Sequence, residues 1–195
     1  MKILKTDCLS DGFRMPGEFE KQDGCLMIYP WRPGSWNYDA KYARDVFVEI
    51  AHILAAYEEV YMIVRAEDMK EASTRLNHPH IHIIEASSDD AWARDTGPTF
   101  VINGKGERRG INWEFNAWGG SYDGLYSHWE NDQVIPSLVC EYLGDDLYEA
   151  RPFVLEGGSI HVDGEGTLIT TEECLLNLGR NPTMTRDEIE EKLKH

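Results

Sequence analysis

The sequence predicts an α/β fold in which strands and helices alternate but hairpins recur, so a purely parallel doubly wound sheet fits poorly. Short apolar runs of strand length stand at 24–29, 60–64 and 80–84, a helix-period segment follows Asp39, and turn residues at 103–107 and 163–166 join pairs of strand-like runs. The order strand, strand, helix, strand suggests itself as a repeating unit, although no sequence repeat is visible.

The first strand, GCLMIY at 24–29, is stopped by Pro30, and WRPGSWN is a loop rich in Pro, Gly and Trp. Ala43, Val46, Phe47, Ile50, Ile53, Leu54 and Tyr57 then recur at three- and four-residue steps, which predicts an amphipathic helix buried on that face. Val60 to Val64 is a strand, Ala66 to Leu76 a polar helix, and His80 to Ile84 another strand. Thr99 to Ile102 and Arg109 to Trp113 form a hairpin about NGKGE. A helix follows with Val134, Ile135, Leu138, Val139 and Tyr142 on one face and Pro136 close to its start. Phe153 to Leu155 is strand-like, and a second hairpin turns about Asp163-Gly164-Glu165-Gly166. In TRDEIEEKLKH, Thr185 and Glu188 make a capping box, with Ile189 and Leu193 on the apolar face. No Gly or Asn stop signal follows, which fits a chain that continues as well as a native terminal helix.

The 195 residues carry 19 Lys and Arg against 35 Asp and Glu, a formal charge of -16. That balance argues against nucleic acid and an anionic membrane surface and is compatible with a small cationic substrate. The N-terminal MKILKTDC is too short and polar for a secretory signal, and no apolar run reaches membrane-spanning length. Cys8, Cys25, Cys140 and Cys174 are widely spaced, which reads as reduced thiols in a cytoplasmic protein.

Two motifs carry the chemistry. AWARDTGP places Trp92 beside Asp89, Asp90, Arg94 and Asp95, and an aromatic wall next to a carboxylate suits a flat cation. The competing reading is a solvated turn, since Asp and Gly are turn residues for backbone reasons. FVLEGGSIHVDG puts Glu156 at the end of an apolar run, followed by two glycines where backbone can approach a ligand closely. A plain strand-to-turn junction would look the same. Asp95 and Glu156, if they converge, would grip a guanidinium by paired charge-assisted hydrogen bonds. His161 and Asp163 share a strand face, a weak His–Asp signal without a nucleophile beside it. His78, His80 and His82 alternate and would line one strand face, but no acidic or Cys ligand stands at a fixed spacing, so no metal is expected. Trp113, Phe115 and Trp118 in NWEFNAWGG read as core and loop packing.

Taken in order, RMPGEFE (14–20), the Pro30 to Trp36 loop, AWARDTGPTFVIN (91–103), NWEFNAWGG (112–120), FVLEGGSIHVDG (153–164) and TTEECLLNLGRNP (170–182) resemble the agmatine deiminases, within the wider peptidylarginine deiminase-like group. Phe19 and Tyr29 stand where that family often has Trp. The resemblance implies the α/β propeller of five ββαβ modules about a pseudo-fivefold axis. Residues 1–195 would then be the N-terminal portion, about the first half, of a single domain of that kind. It implies hydrolysis of agmatine to N-carbamoylputrescine and ammonia without cofactor or metal, through a covalent Cys-thiouronium intermediate. Asp95 and Glu156 would clamp the guanidinium and Trp92 would wall the pocket. The nucleophilic Cys and general-base His have no match in this sequence, so the 195-residue chain is expected to be inactive alone. It is also expected to associate with itself or with the missing C-terminal half. Specificity for peptidyl-arginine, or a half-length protein that binds a guanidine or a partner without chemistry, remain as alternative readings.

Overall fold

A computed structural model describes residues 1–194. They form two compact units, residues 21–93 and a second made of residues 1–20 with 94 onward. In chain order, the latter starts with two short strands, β1 (Ile3–Leu4) and β2 (Phe13–Arg14).

Residues 21–93 hold β3 (Gly24–Ile28), α1 (Lys41–Leu54), β4 (Glu59–Val64), α2 (Met69–Arg75) and β5 (Ile81–Glu85). The three strands pair in the order β3-β4-β5, both pairs parallel, with Cys25 opposite Val60 and Val60 opposite Ile81. This unit is therefore a strand–helix–strand–helix–strand parallel sheet, not the expected strand–strand–helix–strand. Its strands are nearly continuous Val, Ile and Met because helix crossovers leave little of a parallel sheet wet. Tyr29, Val60, Met62, Val64 and Leu76 are buried in its core with Ala51, Ala55 and Ala72 from the helical segments.

The predicted face of α1 is corrected. Ala51 is buried, with Phe47, Val48 and Leu54 packed beside it, whereas Val46 and Ile53 are 52% and 56% exposed and Tyr57 more so. Small Ala lets the helix approach the sheet; of the large apolar residues in the expected stripe, Phe47 and Leu54 pack against this core, while Val46, Ile50 and Ile53 face away. An ion network ties α1 to α2: Arg44 meets Asp68 and Glu71 at 2.8 and 2.6 Å, and Arg75 meets Asp45 and Glu71 at 2.5 and 2.9 Å.

From residue 94 the chain adds α3 (Ala93–Thr96), β6 (Thr99–Asn103), β7 (Arg108–Glu114), α4 (Gly120–Asp123), α5 (Ile135–Leu143) and β8 (Asp146–Val154). Then come β9 (Ile160–Val162), β10 (Leu168–Thr170), α6 (Glu172–Leu175) and α7 (Arg186–Lys194). Here β6-β7-α5-β8 follows the expected strand–strand–helix–strand order. The five-stranded sheet runs β1-β8-β7-β6-β2, with β7 and β8 parallel and the β6/β7 hairpin antiparallel. Between Asn112 and Glu114 the register to β8 shifts, a bulge just before the strand delivers Glu156. Ile135, Pro136, Val139 and Cys140 are the buried face of α5, while Val134 and Tyr142 are exposed, against the expected stripe. Gly144, left-handed at φ 79°, ends α5 and donates to the Glu141 carbonyl.

The β9/β10 hairpin forms as expected, and the capping box is made in both directions. Glu188 accepts from Thr185 N at 2.7 Å, and Thr185 Oγ1 accepts from Glu188 N at 3.3 Å. Ile189 is buried with Phe153, Leu155, Ile160 and Leu175, and Leu193 packs against them. No helix among the described residues is long and apolar enough to cross a membrane.

Candidate active site

Asp95 and Glu156 lie in the same unit, and the reason is the glycine pair after Glu156. A Cβ at Gly157 would fall within 3.0 Å of the Arg94 carbonyl oxygen and 3.4 Å from its carbon, so only a glycine fits against that backbone. The next residue completes the clasp: Gly158 N donates to Asp95 Oδ1 at 2.8 Å. The two glycines thus admit the protein's own 94–95 backbone and carboxylate, where the sequence suggested room for a ligand. Docking EGG onto ARD brings the two carboxylates together, across sixty-one positions of sequence, closely enough to repel one another.

Glu156 is buried and Asp95 half-buried. Burial raises the Asp95 carboxyl above its ordinary range, opposed by the Gly158 N–H, the Trp118 indole and the charges of Arg94 and Arg180. Burial likewise raises Glu156; the Arg180 charge opposes this and the negative charge of Asp95 adds to it. Paired carboxylates of this kind recur at functional sites because their protonation is set by what lies between them.

Two residues at this site had no expected role. Trp118 donates from Nε1 to Asp95 Oδ2 at 3.3 Å. It and Ala117 hold left-handed backbone, φ 64° and 54°, a costly conformation for non-glycine residues and one that gathers at functional sites. Arg180 places Nε 2.7 Å from Glu156 Oε1, with side chains only 10% and 3% exposed. The contact is an ion pair made away from water. The signal in the sequence that could mark Arg180 is a lone charge in the stretch LLNLGRNPTMT, which is otherwise without one.

The other candidates are dispersed. Trp92 belongs to residues 21–93, where it stacks on Trp36, centroids 6.1 Å apart at 26°. The neighbouring acidic turn is not solvated at its centre: Asp90 is fully buried and accepts from Ser35 Oγ, Trp36 Nε1 and Ala91 N. His161 is mostly exposed, its Nδ1 3.9 Å from Glu18, while Asp163 caps its own turn by accepting from Glu165 N and Thr167 N. His80 and His82 both bond Glu59 on the adjacent β4, at 2.7 and 2.6 Å, a carboxylate partner that sequence spacing does not reveal. Among the cysteines, Cys140 is buried in α5 and its thiol is pushed up to about 12 by burial. Cys25 sits in β3, and Cys174 receives the Thr171 hydroxyl at 3.1 Å. An apolar cavity of about 930 Å³ in residues 1–20 and 94–194, walled by Trp113, Ile160, Leu168, Leu175, Ile189 and Leu193 among others, has neither Asp95 nor Glu156 on its wall.

The arrangement joins paired carboxylates, an indole and a clamped turn in one unit. Residues 14–195 match the family described as Porphyromonas-type peptidyl-arginine deiminase, and the chain belongs to that family. Within it, the chain is 51% identical over 194 residues to the agmatine deiminase of Pseudomonas fluorescens, covering 100% of this chain and 53% of that protein. It is 52% identical over 190 residues to the agmatine deiminase of Pseudomonas syringae pv. tomato, covering 97% and 52%. Among solved structures, the agmatine deiminase of Enterococcus faecalis superposes with a TM-score of 0.95 at 44% identity, over 99% of this chain and 53% of that one. These relatives are hydrolases of C–N bonds and share an α/β fold with this chain. The chain spans about half the length of the curated relatives it matches.

Proposed function

We propose that this chain supplies the guanidinium clamp of an agmatine deiminase, which in its complete form converts agmatine and water to N-carbamoylputrescine and ammonia. The observation that carries the reading is the convergence of Asp95 and Glu156 in one unit, flanked by the Trp118 indole. Two carboxylates can accept the paired N–H groups of a planar guanidinium and hold its carbon for attack along one direction. The naming of the relatives as agmatine deiminases supports agmatine over peptidyl-arginine as the substrate.

In this reading a Cys thiolate attacks the guanidinium carbon. A His gives its proton to an amino group of the adduct, which departs as ammonia, and water, deprotonated by the same His, then breaks the C–S bond of the covalent thiouronium to release the ureido product and the Cys. The thiolate and the His are supplied by sequence beyond residue 195. The setting of the four cysteines supports this, since Cys8, Cys25 and Cys140 have thiols raised by burial and Cys174 is engaged by Thr171. The two units would be the opening part of a five-module propeller, and the cationic substrate is the partner that the charge of -16 favours. Association with the remaining half, or of the chain with itself, belongs to the same proposal.

The test is a ureido colorimetric assay of the protein extended through its downstream Cys, with agmatine and an arginyl peptide in parallel. Turnover of agmatine, abolished in Asp95→Ala and Glu156→Ala, is the expected result, with none from residues 1–195 alone. A folded, extended protein that leaves agmatine intact sinks the proposal. Selective turnover of the peptide shifts the substrate assignment.

A further inference from the structure

Arg180 is held from both sides before any ligand is considered. Asn181 accepts Val154 N–H at 3.0 Å and donates to Val154 O at 2.9 Å, so the residue after Arg180 docks on the end of β8 as a strand partner would. On the preceding side, Asn116 Nδ2 donates to the Gly179 carbonyl at 2.8 Å, and Gly179 N donates to Asn177 Oδ1 at 2.7 Å. The guanidinium is fixed in turn: Arg180 Nη1 donates to the carbonyl of Trp118, the residue whose left-handed backbone and indole also serve Asp95. A side chain anchored in this way is a fixture of the site and not a plug that swings aside.

Its contact with Glu156 has an unusual character. Nε and Oε1 are 2.7 Å apart and nearly waterless, a buried charge-to-charge contact. The positive charge is delivered at close range to Oε1, away from water. With Asp95, Glu156 and Arg180 all ionised, the cluster carries one net negative charge, matched to one monovalent cation. The charged groups bearing on the two carboxylates are each other, Arg180, and Arg94, which is itself paired with Glu18.

Taking the guanidine site proposed above as given, we propose that Arg180 is its positioning residue: its buried ion pair holds Glu156 in place as the anion that an incoming guanidinium meets. Without this cation, burial and the neighbouring Asp95 charge would favour a neutral carboxyl, which cannot serve as a two-sided acceptor.

The experiment follows the Glu156 carboxyl carbon by NMR during pH titration of the 195-residue chain, with assignment by Glu156→Gln. In the wild type Glu156 is expected to be ionised at pH 7. In Arg180→Gln its titration moves up by about 1–3 pH units, the size of effect an adjacent opposite charge exerts. Arg180→Lys, which keeps the charge, restores most of that shift. A merely structural arginine would lower the melting temperature in both variants without separating them by charge. An Arg180→Gln titration identical to the wild type overturns the proposal. Should Arg180→Gln fail to fold, the wild type and Arg180→Lys still decide, because a neutral Glu156 at pH 7 in either refutes it. No guanidine is present, so the result is independent of whether the extended protein turns agmatine over.

Discussion

Replacing Gly157 with alanine is the sharpest probe of how the site is assembled. The added methyl would lie inside 3.0 Å of the Arg94 carbonyl oxygen, a backbone atom with no rotamer by which to escape, and 3.5 Å from the Arg94 Cδ. Relief requires the EGG turn and the Arg94–Asp95 backbone to part by on the order of 1 Å, which costs about 1–3 kcal/mol by analogy with other overpacked sites. With a urea dependence of about 2 kcal/mol per molar, the unfolding midpoint should fall by about 0.5–1.5 M. The same movement lengthens the Gly158 N–H to Asp95 bond, so the Gly158 amide should lose protection from hydrogen exchange. Gly104 is the control, because a Cβ there meets nothing within 4 Å and alanine should change stability by less than about 0.5 kcal/mol. If Gly157→Ala unfolds at the wild-type midpoint with the Gly158 amide still protected, the clasp does not hold the carboxylates together and the account of the site fails. In the extended protein a displacement of this size should lower turnover about 100-fold.

Three further outcomes follow from the same physics. Burial raises the Asp95 carboxyl, so the folded chain binds its proton more tightly than the unfolded chain does. Stability therefore declines as pH rises from the ordinary carboxylate range, 3.8, through the raised folded value. Asp95→Asn removes the Asp95 share of that decline, and urea melts from about pH 4 to about pH 8 should show a flatter profile; an unchanged slope refutes it. Ile53→Glu, on the exposed side of α1, should alter stability by less than about 0.5 kcal/mol, whereas Ala51→Glu buries an unpaired charge and should cost several; equal losses would contradict the packing of α1. Thr185→Ala should cost about 1 kcal/mol and raise exchange at the start of α7 in particular, and undiminished protection there would show the capping box to be idle.

Local rules were enough for much of the fold. The Asn103–Glu107 and Asp163–Gly166 turns, the capping box at Thr185 and the Val-, Ile- and Met-rich strands are written in nearest-neighbour chemistry, and each element stands where its residues predict. The glycines after Glu156 and the Asp in AWARDTGP likewise announced a special place. What the sequence could not contain was the direction each element faces. Large apolar residues marked one side of α1, yet the sheet took the alanines, because close approach rewards small side chains and no one-dimensional pattern records distance. Asp95, Trp118, Glu156 and Arg180 are spread over eighty-five positions, and a pairing such as Arg180 with Glu156 exists only once β8 and the 177–181 turn are docked by Asn181. Charges, donors and turn formers were fixed by the order of the residues; which of them lose water together was decided by the packing alone.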